Sequence, residues 1–142
     1  MEVSDVRRRL RAAIESARNN AQERRLRSDQ AAREYDVFLR DTAVPIFQVF
    51  AAALVAEGYR FKVFTPAESV RLASDFSPED FIEIALDPAV DPPVVLGRTS
   101  RGRGRRGVTS ERPINPSVSV GELTKDDVLS FLESEIPPFV ER

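Results

Sequence analysis

The chain contains no cysteine. Disulfides, thiolate metal sites and thiol nucleophiles are therefore excluded. It contains no histidine either, which removes the commonest general base and the commonest transition-metal ligand. The first forty residues hold neither proline nor glycine, so nothing in them punctuates a helix. Lysine is scarce, 2 residues against 19 arginines. The planar arginine fork suits carboxylate and phosphate, but the bias runs the whole length of the chain and singles out no site. The longest uninterrupted apolar run, Val49 to Ala56, is eight residues, far short of a membrane span. Met1 to Leu10 is charged and lacks the apolar stretch of a signal peptide. These absences lead us to expect a soluble, cytoplasmic protein with no membrane partner, no cofactor and no bound metal.

What is present is a divided charge. Six arginines and one acidic residue fall between Arg98 and Arg112, among Gly97, Gly102, Gly104 and Gly107. The chain on either side is acidic: residues 41–97 carry 3 basic and 9 acidic side chains, and residues 113–142 carry 2 and 6. The first forty residues are basic again, with 10 against 7. A net charge of −2 conceals this division.

A length of 142 residues suffices for one domain with its own core. Residues 1–40 read as one long projecting helix, coiled-coil-like in its contacts, and residues 41–142 as an α+β domain. Apolar residues at Val3, Val6, Leu10, Ala13, Ile14, Ala17 and Ala21 recur at spacings of three and four. Ser4 is a candidate cap. The stripe thins from Arg18 to Gln30, where only Ala21 and Leu26 are apolar, and returns at Ala31, Ala32, Tyr35, Phe38 and Leu39. So long a helix with so thin a stripe is not held by its own propensity. It calls for cover from another body. Pro45 either breaks this helix or kinks it into a second one, Val44 to Glu57, which is apolar on most sides and expected to be buried; Gly58 then stops it.

Period-two alternation follows. Tyr59, Phe61 and Val63, then Val70 and Leu72, then Ile82, Ile84 and Leu86 mark three strands, with Val94 to Thr99 and Gly107 to Arg112 as a fourth and fifth. Short strands joined by turns predict an antiparallel meander of four to five strands. Thr124 caps a C-terminal helix, with Leu123 and Val128 in the two positions of a hydrophobic staple. Val128, Leu129, Phe131, Leu132 and Ile136 supply its core face, and Pro137-Pro138 ends it. The predicted fold is therefore α+β: a long N-terminal helix, a second buried helix, the meander and a C-terminal helix. Its core should join Phe61, Val63, Leu72, Ile82 and Ile84 to Phe47, Phe50, Leu54, Phe131 and Leu132.

Few patterns carry chemistry. Asp75, Glu79, Asp80, Glu83 and Asp87 form a carboxylate group, but its spacing matches no calcium loop, and turns and caps favour acids at three of those positions. Serines lack a histidine base and a nucleophile elbow. Gly102, Gly104 and Gly107 give a Gly-x-Gly-x-x-Gly spacing that opens a predicted strand, where a dinucleotide site requires a helix. We expect no enzyme. Two surfaces remain. The first is Val3, Val6, Leu10, Ile14, Ala17 and Ala21, read as a self-association stripe that makes the chain a homodimeric interaction or adaptor module, or one that docks another protein. The second is Arg98, Arg101, Arg103, Arg105 and Arg106 on a hairpin loop over residues 98–107, read as an anion or nucleic-acid site. Arg/Gly segments hold polyanions by counterion release, although no aromatic residue lies between Leu96 and Val120 to stack on bases.

Overall fold

The computed structural model describes residues 1–103 and 106–141, excepting the side chains of Arg103 and Arg106. Helix α1 spans Val3–Phe38, and α2 spans Val44–Ala56. Between them Leu39–Ala43 form a π turn, in which the Val44 amide donates to the Leu39 carbonyl, five residues back. Phe38, Leu39, Ala43 and Val44 all keep right-handed helical backbone angles. The helical path therefore runs unbroken from Val3 to Ala56, and Pro45 does not break it. In a regular α-helix the proline ring meets the carbonyl four residues earlier; the wider turn immediately ahead of Pro45 makes room for it. Ser4 does not cap α1. Glu2 is the extended residue at the start, without a side-chain cap bond, and Ser4 lies inside the first turn.

Five strands form an antiparallel meander in the order β1-β2-β3-β4-β5. They are β1 (Phe61–Phe64), β2 (Ser69–Ser74), β3 (Phe81–Asp87), β4 (Val94–Arg103) and β5 (Arg106–Pro113). A single turn of 3₁₀ helix, Val120–Glu122, leads to α3 (Lys125–Glu135) and the short α4 (Pro137–Val140). Thr124 caps α3: its hydroxyl accepts from the Asp127 amide at 3.2 Å, and Asp127 accepts from the Thr124 amide at 2.8 Å.

The sheet is covered by helices on one face. Phe61, Val70, Leu72, Ile82, Ile84 and Val95 are buried there with Phe47 and Ala51 of α2 and Val128, Phe131 and Leu132 of α3. Val63, Phe50 and Leu54 pack at the margin, partly buried. The end of α1 joins the same core through Ala31, Tyr35 and Phe38. The fold thus recruits the last turns of the first helix, and the covered body begins within residues 1–40, ahead of residue 41. Tyr35 also donates its hydroxyl to the Glu68 carbonyl at 2.6 Å. Glu68 has a positive φ of 57° in the β1–β2 turn.

Helix α2 buries one face. Its other side, with Val49, Ala52, Ala53, Val55 and Ala56, remains exposed. The helical path Val3–Ala56 includes an 18-residue window of mean hydropathy 1.5, long and apolar enough by composition to cross a membrane. The buried Phe47–Ala51 face of that segment packs in the core with the sheet.

Candidate functional site

Helix α1 divides at Arg27. That guanidinium makes a two-pronged ion pair with Asp91 in the β3–β4 loop, at 3.0 and 2.8 Å. Arg27 holds the Asp91 carboxyl below the usual carboxylate range, through its hydrogen bonds first and its charge second. The same bonds raise the Arg27 pKa. Nearer the N-terminus, no residue from 1 to 26 is buried. At 1.5 Å per residue, Val3 to Leu26 extends about 36 Å.

This free arm carries the sequence-predicted stripe. Val3 is 74% exposed, Val6 48%, Leu10 56% and Ile14 43%. Ala17 is exposed and Ala21 half-buried. Leu10 and Ile14 line one shallow groove with Arg7, Arg11, Glu15 and Arg18. The helix therefore brings apolar residues together on one side with arginines along their flanks.

The Arg/Gly tract is organised differently from the expected loop over residues 98–107. Pairing of β4 with β5 continues through Arg101↔Val108 and Gly102↔Gly107 to Arg103↔Arg106. Only Gly104 and Arg105 lie between the strands, and both are outside the described residues. The strands run on because ladder bonds use backbone groups, which every residue in the tract supplies. The expectation stopped them where apolar alternation ceases.

Of the expected anion-binding residues, Arg98 is committed to carboxylates: it lies 3.8 Å from Glu83 and 3.7 Å from Glu111. Arg112, at the far end of the tract, donates to Glu135 at 2.8 Å and Ser134 at 2.7 Å. Arg101 is half-buried. The side chains of Arg103, Arg105 and Arg106 are outside the described set.

Sequence reading missed the ladder to which Arg98 belongs. Register places Arg71, Glu83, Arg98 and Glu111 side by side across β2, β3, β4 and β5. Glu83 is 4% exposed. It accepts from Ser69 at 2.9 Å and from Arg71 at 3.3 Å, and the Arg71 guanidinium lies 4.0 Å above the Phe81 ring. Alternating charge at period-two positions of neighbouring strands was the available signal, but it requires the register to be known. Asp75, Asp80 and Asp87, from the same carboxylate group, are also engaged. Asp80 accepts from the Gly102 amide at 2.7 Å. Asp75 lies 3.7 Å from Lys62, and Asp87 accepts from the Ala89 amide at 3.0 Å. Among the described residues no group of three or more acidic side chains is placed to hold a metal.

A cleft of 370 Å³ lies between α1, Pro92–Val95 and residues 113–123. Its wall is largely proline and valine, with Arg27, Gln30, Glu34, Asn115 and Ser119 around it. Several of these polar groups are already engaged: Gln30 with Glu34, Asn115 with Asp127, Ser119 with Glu122. Neither Glu83 nor Arg98 lines the cleft. No protein-family model, characterised protein or solved structure matches the chain.

Proposed function

We propose that this chain is a non-enzymatic interaction module that associates with a second copy of itself through the free arm of α1. The observation that supports this reading is the exposure of Val3, Val6, Leu10 and Ile14 on one side of a helix that its own body does not cover. Burying an aliphatic side chain contributes about 1.5–3 kcal/mol. Four such residues on each copy offer a gain comparable to the cost of bringing two proteins together. A micromolar dissociation constant, about −8 kcal/mol, is the expected range. The engagement of Asp75, Asp80, Glu83 and Asp87 with arginine, lysine, hydroxyl or backbone partners supports the non-enzymatic part of the reading.

Light scattering from about 1 to about 100 µM is the direct test. The expected result is a mass that rises to twice the chain's. A Leu10→Asp, Ile14→Asp double variant should stay monomeric, and its melting temperature should match that of the wild type diluted below its dissociation constant. A wild-type monomer across the whole range overturns the reading.

The hairpin supports a second reading, polyanion binding. The register sets Arg103 opposite Arg106 at the tip, with Arg101 two residues below. Arg98 drops out of this site because Glu83 and Glu111 already neutralise it. Titration of a labelled single-stranded oligonucleotide should then weaken steeply with salt. Replacing Arg101, Arg103, Arg105 and Arg106 by alanine should abolish binding; unchanged affinity removes this reading.

A further inference from the structure

The self-association reading leaves open how two arms meet. On that reading, we infer that the arms pair antiparallel, centred on Ala12, with the two bodies at opposite ends.

The first argument is the side on which the body sits. Val3, Leu10, Ala17, Arg24, Ala31 and Phe38 are spaced seven apart, as are Ile14, Ala21, Ser28 and Tyr35. The outer members are exposed, whereas Ala31, Tyr35 and Phe38 are buried in the chain's own core. A straight helix drifts about 20° per heptad, so about 60° separates Leu10 from Ala31. The body therefore stands on the same side of the helix as the stripe. A parallel partner laid along that stripe would carry its own body to the same level and the same side, and the two would collide. An antiparallel partner brings only its tip toward the body.

The second argument is fit. With Ala12 at the centre, Leu10 lies level with Ile14 of the other copy, Val3 with Ala21, and Arg7 with Ala17. Val3 meets a small residue, Leu10 and Ile14 meet each other at the midpoint, and Val6 lies level with Arg18, whose aliphatic stem can cover it while its charge stays in water. The apolar stripe of one arm, Val3 to Ala21, lies level with that of the other along its whole length, and it ends ahead of the Arg27–Asp91 clamp.

Charge points the same way. A parallel pair in register sets Arg7 against Arg7 in the seam and brings both sets of Arg7, Arg8, Arg9 and Arg11 to one level. The antiparallel pair moves the centres of these clusters six residues apart, about 9 Å along the axis, roughly one Debye length at physiological salt. It leaves Arg11 near Arg11 across the midpoint. Arg11 is exposed, and salt screens that residual repulsion.

The absence of native cysteine makes the test clean. Leu10→Cys and Ile14→Cys chains are oxidised mildly, each alone and mixed in equal amounts, and the cross-linked peptides are identified by mass. The expected product is the mixed disulfide, joining position 10 of one copy to position 14 of the other, at several times the yield of either homodisulfide. A spin label on Gln22→Cys gives the second measurement. Copies pairing antiparallel should read about 30 Å apart along the axis, and parallel helices about 10 Å. A dominant homodisulfide of the Leu10→Cys chain, together with the short distance, would overturn the antiparallel arrangement and leave self-association standing. A monomer by light scattering would overturn both self-association and the arrangement; a dimer in which neither pair of positions cross-links would overturn the antiparallel arrangement and the arm as the surface that forms it.

Discussion

Phe131 of α3 packs against Gly97 of β4 so closely that a β-carbon at position 97 would overlap the outer edge of the ring. Residue 97 is glycine because the ring occupies the space a side chain would need. Phe131 is itself 2% exposed and lies beneath the Arg112 guanidinium, 4.9 Å away, so it has little freedom to withdraw. Gly97→Ala should therefore destabilise the fold by about 1–3 kcal/mol, as overpacking of a filled core does. A urea titration checks this: the midpoint should fall with the slope unchanged.

The Tyr35 hydroxyl bond to Glu68 fixes α1 to the β1–β2 turn. Burial, with the nearby carboxylates Glu83, Glu68 and Asp36 adding to it, raises the Tyr35 pKa well above that of free tyrosine, so the phenol stays protonated and donating at neutral pH. Tyr35→Phe keeps the ring and removes that donor, and should cost about 0.5–1.5 kcal/mol. Glu68→Gly should act in the opposite direction by up to about 1 kcal/mol, because glycine adopts a positive φ without the β-carbon penalty. Thermal melts of the two single variants should shift in opposite senses.

Thr124 and Asp127 close the start of α3 reciprocally. Thr124→Ala should cost about 1 kcal/mol, while Thr124→Ser should retain most of the stability. Circular dichroism melts separate the two.

Acid should loosen the same contacts. Burial pushes the Asp127 carboxyl upward, but the Thr124 amide and the Asn115 side chain outweigh it, and the net shift is downward. Asp91 is lowered by Arg27. A carboxyl with a depressed folded pKa adds stability above its unfolded pKa, about 3.9 for aspartate, and loses it as pH falls through the folded value. Stability from these two groups should be flat above about pH 5 and decline toward lower pH. Asp127→Asn and Asp91→Asn should each make that decline shallower, measured as urea midpoint against pH.

How legible these features were depended on how local their causes are. The strands announced themselves by alternation at Phe61 and Val63 and at Ile82, Ile84 and Leu86, because one buried face imposes a period of two. The α3 start was legible because a cap and its staple lie within five residues of each other. The uncovered stripe on the arm was readable for the same reason. The features that eluded sequence reasoning are relational. Strand pairing through Arg101 to Arg103 depends on backbone bonding, which polar residues do not advertise. The Glu83 ladder depends on register across four strands. The Arg27–Asp91 clamp joins residues 64 apart in the chain. At Pro45 the local rule offered a break or a kink, and the fold used a π turn, an outcome governed by how Leu39–Ala43 could wind.

That π turn has a mechanical consequence. Because the helical path never breaks between Val3 and Ala56, the arm and the core segment form one lever with its fulcrum near Arg27. A sideways load on the arm is therefore met first at Arg27 and by the core-packed Ala31, Tyr35 and Phe38, ahead of the wider turn at Leu39–Ala43.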